Sequence, residues 1–302
     1  MTPDFSAGCA FVDDAFVPIA EARISLLDMG FSRSDCTYDV VAVWDGGFFR
    51  LADHLDRFAH SCACLQLVPP YTREAMADIL MACVRRSGLR EAYVEMIATR
   101  GVPEAGERDV RRIRNRFYAY AIPYVWIARP EQQERGLHLV VARNVERISP
   151  RAVDPRVKNF HWGDLVRGLF EAYDRTADSA VLVDANGFVT EGPGFNVFAC
   201  YRGQLVTPAD GVLLGITRQT ILDLAAEEGM TVRVGRVEPT LLAEASEVFL
   251  TSTAGGVMPV TQLDGQPVGE GRPGPVTLRL RSRYWEAHRA GRWVTPVPYA
   301  TR

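Results

Sequence analysis

Apolar and polar positions divide the chain into two regimes. Over the first 120 residues, strand-like and helix-like patterns alternate. Ala10-Phe-Val-Asp-Asp-Ala-Phe-Val-Pro18 reads as a hairpin around Asp13-Asp14. Tyr38 to Trp44 is apolar and β-branched, and Asp45-Gly46-Gly47 turns it into Phe48 to Leu51, a second hairpin. Behind Asp53, placed to cap a helix, Leu55, Phe58, Ala59 and Cys62 recur at helical spacing. Arg73 to Ser87 reads as an amphipathic helix ended by Gly88, and two strands follow, Ala92 to Thr99 and Arg116 to Pro123, joined by a charged loop. Beyond a polar, Pro-containing stretch, strands dominate, at 137–142, 179–184, 188–190, 196–201 and 204–207. Helices are expected near 163–175, 217–228 and 275–290. The pattern predicts an α+β, two-domain chain without repeats: a small N-terminal α/β domain over 1–123, a linker over 124–135 and a larger strand-rich domain over 136–302.

Composition narrows the function. The 302 residues are 47% hydrophobic and 24% charged with a net charge of −3, which argues against a dedicated nucleic-acid binder. The one basic run, Arg108 to Arg116, is broken by Asp109 and Ile113 and reads as a solvated loop. There is no targeting signal in the opening residues and no apolar run of membrane-spanning length, so no membrane partner is expected. The six cysteines lack paired metal-ligand spacing; they read as reduced thiols of a cytoplasmic protein, with no metal site. No Gly-x-Gly-x-x-Gly or Walker sequence occurs.

Candidate chemistry begins at Val153-Asp-Pro-Arg-Val-Lys158-Asn-Phe-His-Trp162. Nearly all the basic charge is arginine, so a lysine kept in an apolar, Pro-containing context points to a need for an amine. Only lysine can lose its proton near neutrality and form a Schiff base. Taken alone, a helix-capped surface lysine is the plainer reading. Four further pieces change that. Glu191 stands in the glycine-rich turn Thr190-Glu-Gly-Pro-Gly-Phe-Asn196, where a carboxylate is fit to hold a pyridine nitrogen protonated. Gly215-Ile216-Thr217-Arg218 opens directly into a helix, and Ser252-Thr253-Ala-Gly-Gly256 offers hydroxyls and amides after an apolar strand; both suit a phosphate. Arg57 completes the set as a bidentate phosphate clamp. A lysine, a ring-nitrogen acid, two phosphate cradles and an arginine are the parts for pyridoxal 5′-phosphate.

These stretches, with Ser34-Asp-Cys-Thr-Tyr38-Asp-Val40, Val43-Trp-Asp-Gly-Gly-Phe-Phe-Arg-Leu-Ala-Asp-His-Leu-Asp-Arg57, Tyr93-Val-Glu95 and Pro123-Tyr-Val-Trp126, run in order along nearly the whole chain. The chain resembles the fold type IV pyridoxal-phosphate transaminases, and most of all the (R)-selective amine and D-amino acid transaminases. The resemblance implies that Lys158 forms the Schiff base and shuttles a proton, and that Glu191 pairs with the pyridine nitrogen. Arg57, Ile216, Thr217, Ser252 and Thr253 would hold the phosphate, while Tyr38, Val40, Tyr93, Glu95 and Trp162 line the substrate pocket. It further implies ping-pong transfer between a small amine or amino acid and a keto acid (pyruvate or 2-oxoglutarate), and a homodimer with the active site at its interface.

Arg33 departs from the (R)-selective amine transaminases, which place a histidine there and carry a mobile arginine in the loop after Thr-Arg-Gly, near Gly106 here, where Arg108, Arg111 and Arg112 are the nearest arginines. A guanidinium at this position suits a substrate carboxylate, and Arg33 is therefore a candidate for admitting D-amino acids; the alternative is an arginine facing solvent or paired with an acid. Rival readings are a branched-chain L-amino acid transaminase, an aminodeoxychorismate lyase, and a non-catalytic binding module that keeps the fold.

Overall fold

The computed structural model describes residues 5–299. In chain order the elements are β1 (Cys9–Val12), β2 (Ala15–Pro18), α1 (Met29–Arg33), β3 (Cys36–Trp44), β4 (Gly47–Phe49), α2 (Leu51–Cys64), α3 (Arg73–Ser87), β5 (Ala92–Thr99) and β6 (Arg116–Pro123). Then come α4 (Pro130–Arg135), β7 (Leu137–Val141), α5 (Gly163–Asp174), β8 (Ser179–Val181), β9 (Asn196–Tyr201), β10 (Gln204–Pro208), α6 (Ile216–Glu227) and β11 (Val232–Gly235). The last are α7 (Pro239–Ala243), β12 (Glu247–Ser252), β13 (Gly256–Leu263), β14 (Gln266–Pro267), α8 (Pro275–Arg289) and β15 (Val294–Pro296). The layout is α+β with two sheets.

The chain forms two units. The first takes residues 5–125, 157–160 and 288–299; the second takes 126–156 and 161–287. This differs from the boundaries expected above in three ways. The stretch 124–135 is no linker, because Trp126 onward belongs to the second unit and Pro130–Arg135 coil into α4. The last residues return to the first unit, where β15 pairs antiparallel with β4. Residues 157–160, including Lys158, also belong to the first unit.

In the first unit, a seven-stranded sheet runs β15-β4-β3-β5-β6-β1-β2 among the described residues. Its turns follow from local chemistry: Asp13 and Asp14 take φ of 48° and 63°, and Asp45-Gly46 take 47° and 76°, the left-handed pairs that two-residue hairpin turns require. Residues directly opposite each other in an antiparallel sheet share a face. Val40 opposes Glu95, which opposes Tyr120, and Ala42 opposes Tyr93. Tyr38, Val40, Tyr93, Glu95 and Tyr120 therefore share one face. The other carries Thr37, Asp39, Val41, Val43, Val94 and Met96 and packs beneath α2 and α3, where Phe58, Leu55, Leu80 and Ile79 complete the core. Helix α3 is closed at both ends, by the Thr72 side chain accepting from Ala75 N and by Gly88 at φ 69°. Helix α2 begins two residues before the expected cap: Arg50, in the left-handed region, is its N-cap, and Asp53 lies in the first turn, paired with Arg50 at 3.1 Å.

The second unit holds an eight-stranded sheet, β11-β10-β9-β12-β13-β7-β8 with β14 beside β13, mixing parallel and antiparallel pairs. Leu139, Val197, Val206, Leu250 and Met258 form one apolar cluster, and Leu165 and Ala172 of α5 pack with Ala180 and Leu182 in another. The strand expected over 188–190 is reduced to a bridge between Val183 and Val189, because Asp184 to Gly187 is a tight turn held by the Asp184 side chain.

Candidate active site

Lys158 is the only lysine in the sequence; every other Lys/Arg position is arginine. In the first unit its segment lies along the open edge of β3, since β4 pairs only with Val43 and Trp44. Its carbonyl accepts from Tyr38 N at 3.1 Å and from the Thr37 hydroxyl at 2.6 Å, and its own N–H donates to Ser61 Oγ at 3.3 Å. The Lys158 Nζ sits 4.4 Å from the centre of the Tyr38 ring, a cation–π contact, and Tyr38 stacks on Phe160 with centroids 4.4 Å apart.

On the same sheet face as Tyr38, Glu95 is buried, and its Oε2 accepts from Tyr120 at 2.7 Å and Tyr93 at 3.1 Å. Burial pushes the Glu95 carboxyl above its ordinary value; the two tyrosine hydroxyls and the Lys158 charge oppose that push without cancelling it. Burial, together with the Glu95 charge, likewise raises both tyrosines, which stay protonated donors.

Beneath the sheet, Arg57 of α2 grips Asp39 of β3 through Nε at 2.7 Å and Nη2 at 2.8 Å, and His54 Nδ1 lies 2.8 Å from the same carboxylate. Burial alone would raise Asp39, but Arg57 and then His54 hold it well below the usual carboxylate range. His54 is pushed down by burial, which Asp39 only partly offsets, so it is neutral with Nδ1–H donating.

In the second unit, Glu191 is buried, with Oε1 accepting from Arg147 Nη2 at 3.0 Å and Oε2 from Leu213 N at 2.8 Å. Arg147 also donates to Asp164 at 2.6 Å. Burial lowers the arginine, yet Glu191 and Asp164 outweigh it and keep the guanidinium charged, and that fixed cation pairs with the Glu191 carboxylate. Asn196 ties the turn together, donating to Leu213 O at 2.9 Å. A Cβ at Gly215 would meet Asn196 Oδ1 at 2.2 Å, so only glycine fits ahead of α6. No side chain caps α6, leaving its first amides, at Ile216 and Thr217, to another acceptor; Thr217 is buried and its hydroxyl has no partner among the described residues. Ser252 ends β12 and accepts from Ala254 N at 3.2 Å, with Thr253 half-buried beside it. Trp162 is half-buried at the N-cap of α5. These groups fit pyridoxal 5′-phosphate: an uncapped helix start with an unused hydroxyl suits the phosphate, and a carboxylate paired with arginine suits the ring nitrogen.

Among the pocket candidates, Tyr38, Val40, Tyr93 and Glu95 lie together on one sheet face. Arg33 does not join them through any contact: it is exposed at the end of α1 and has no partner among the described residues. Five supporting residues escape a sequence reading, namely Asp39, His54, Tyr120, Arg147 and Asp164. Only Asp39 left a trace, as the lone acid inside an apolar strand pattern. Among the described residues no helix is long and apolar enough to cross a membrane, and no group of three or more His, Cys, Asp or Glu is placed to hold a metal.

Residues 37–263 match the amino-transferase class IV family. The chain belongs to that family, and it is an aminotransferase. It is similar to a D-alanine aminotransferase of Listeria innocua, 30% identical over 281 residues that cover 91% of this chain and 94% of the other. A branched-chain-amino-acid aminotransferase of Pseudomonas aeruginosa is 31% identical over 241 residues, covering 79% and 78%. A crystal structure of the T.th. branched-chain amino acid aminotransferase with pyridoxamine 5′-phosphate superposes with a TM-score of 0.89 at 29% identity, over 98% of this chain and all of that one.

Proposed function

We propose that this aminotransferase moves an amino group from D-amino acids or (R)-primary amines to a keto acid, pyruvate or 2-oxoglutarate, in two ping-pong half-reactions. Its cofactor is pyridoxal 5′-phosphate, which when bound supplies the electron sink for the carbanion left at the substrate carbon. In this proposal Lys158 would hold the cofactor covalently and, once freed by the incoming amine, would move the proton at the substrate Cα. Glu191, paired with Arg147, would hold the ring nitrogen protonated. Arg57, the amides of Ile216 and Thr217, and the hydroxyls of Thr217, Ser252 and Thr253 bind the phosphate. Tyr38, Val40, Tyr93, Glu95 and Trp162 shape the substrate pocket.

The observation that carries the D/(R) reading is Glu95. A buried acid held by two tyrosine hydroxyls offers no cation to a substrate carboxylate, so that carboxylate needs an arginine elsewhere. Arg33, without a partner of its own, is the candidate. The branched-chain L-amino acid reading keeps its footing in the relatives of that name. Visible spectra of the holoenzyme separate the two. Bleaching of the cofactor band by D-alanine or (R)-1-phenylethylamine, with L-leucine inert, supports the proposal; bleaching by L-leucine alone refutes it.

A homodimer is part of the same proposal. Leu26 and Leu27 are 73% and 69% exposed, next to exposed Ile24 and Phe31, an apolar patch of the kind that marks an interface. Sedimentation at micromolar concentration tests it, and a monomer there contradicts it.

A further inference from the structure

Thr37 and Asp39 share one face of β3, since alternate strand residues do, and that face meets α2. His54, Arg57 and Ser61 recur at helical spacing along α2. Asp39 is occupied with Arg57 and His54, whereas Thr37 and Ser61 are occupied with the main chain of Lys158. Both hydroxyl residues are fully buried. A buried threonine in an apolar core costs stability unless its hydroxyl is bonded, and here the bond goes to the one lysine of the chain.

We infer that Thr37 and Ser61 are positioning residues for Lys158: their hydroxyls hold the peptide groups on either side of its Cα and fix where its amine starts each proton transfer. The neighbouring Tyr38 N–H completes the grip on the carbonyl. Outside β3 the segment 157–160 has no regular secondary structure of its own, so the direction of the lysine side chain depends on these side-chain bonds and on the Tyr38 ring. The effect is on geometry alone, since neither hydroxyl touches the Lys158 amine.

The inference rests on Lys158 being the cofactor-bearing lysine. K158A tests that premise separately: a K158A enzyme that keeps the visible band of the covalently held cofactor refutes the premise, whatever the other variants do. T37V removes the hydroxyl with little change in shape, T37S keeps it, and S61A removes the acceptor. In stopped-flow mixing of holoenzyme with whichever amine bleaches the band, T37V should slow the half-reaction by about tenfold to a hundredfold, the scale of a small misplacement of a reacting group. The pH midpoint of the cofactor band should move in T37V, cofactor affinity should stay within about threefold, and T37S should restore rate and midpoint. A T37V rate within about twofold of wild type, or a loss that T37S does not rescue, overturns the inference. If T37V does not fold, S61A decides by the same rate and midpoint.

Discussion

Asp39 and Arg57 form a two-point ion pair, Nε to Oδ2 at 2.7 Å and Nη2 to Oδ1 at 2.8 Å, with the carboxylate fully buried. The pair joins β3 to α2 and aims the guanidinium proposed to hold the phosphate. Removing one partner of such a pair leaves a buried charge unmatched, so D39N should destabilise the apoenzyme by about 3 kcal/mol in urea melts. Arg57 holds the folded carboxyl below its unfolded value of about 3.9, so the contribution is present above that pH and is lost as pH falls through the folded value. The gap between wild type and D39N should be full at neutral pH and narrow below about pH 4. A gap independent of pH contradicts the pairing.

Glu95 has the opposite sign. Burial raises its folded carboxyl above the unfolded value of about 4.3, so keeping it costs stability that appears as pH rises from there through the folded value. E95Q keeps an acceptor for Tyr93 and Tyr120 and loses the titration. Its melting temperature should gain on wild type as pH rises above the unfolded value of about 4.3, while turnover falls; a pH-independent difference argues against a titrating Glu95.

Glu191 is paired with Arg147, itself held by Asp164. E191Q should retain the cofactor and lower kcat by roughly a hundredfold, as for loss of one preorganised charge partner. An enzyme unchanged in kcat would remove Glu191 from the ring-nitrogen role.

Arg33 is exposed at the end of α1, so its removal should cost little stability. R33A should raise KM for D-alanine while sparing (R)-1-phenylethylamine, which carries no carboxylate. Equal effects on both amines end the carboxylate role.

Much of the first unit was legible because its patterns are long and punctuated. Helix α3 has a threonine cap and a closing glycine, and β5 and β6 are strands whose eight residues alternate or run apolar. Short pieces were not: α1, with five residues, and α7 bury too little for a period to show. The cap of α2 misled because Asp53 is the usual residue type, whereas Arg50 takes a left-handed conformation uncommon for its kind. In the candidate site, Lys158 and Glu191 stood out through unusual local context. Their supports did not, because Thr37 lies 121 residues from Lys158 and Arg147 lies 44 from Glu191. Such pairings are created by the fold, and nothing in the local sequence of either partner announces them.

The single lysine makes the central claim directly measurable. Borohydride reduction of the holoenzyme, followed by peptide mapping, should place one phosphopyridoxyl group on the peptide containing Lys158 and abolish activity. A reduced enzyme with no label on that peptide, or with full activity, would contradict the assignment of Lys158.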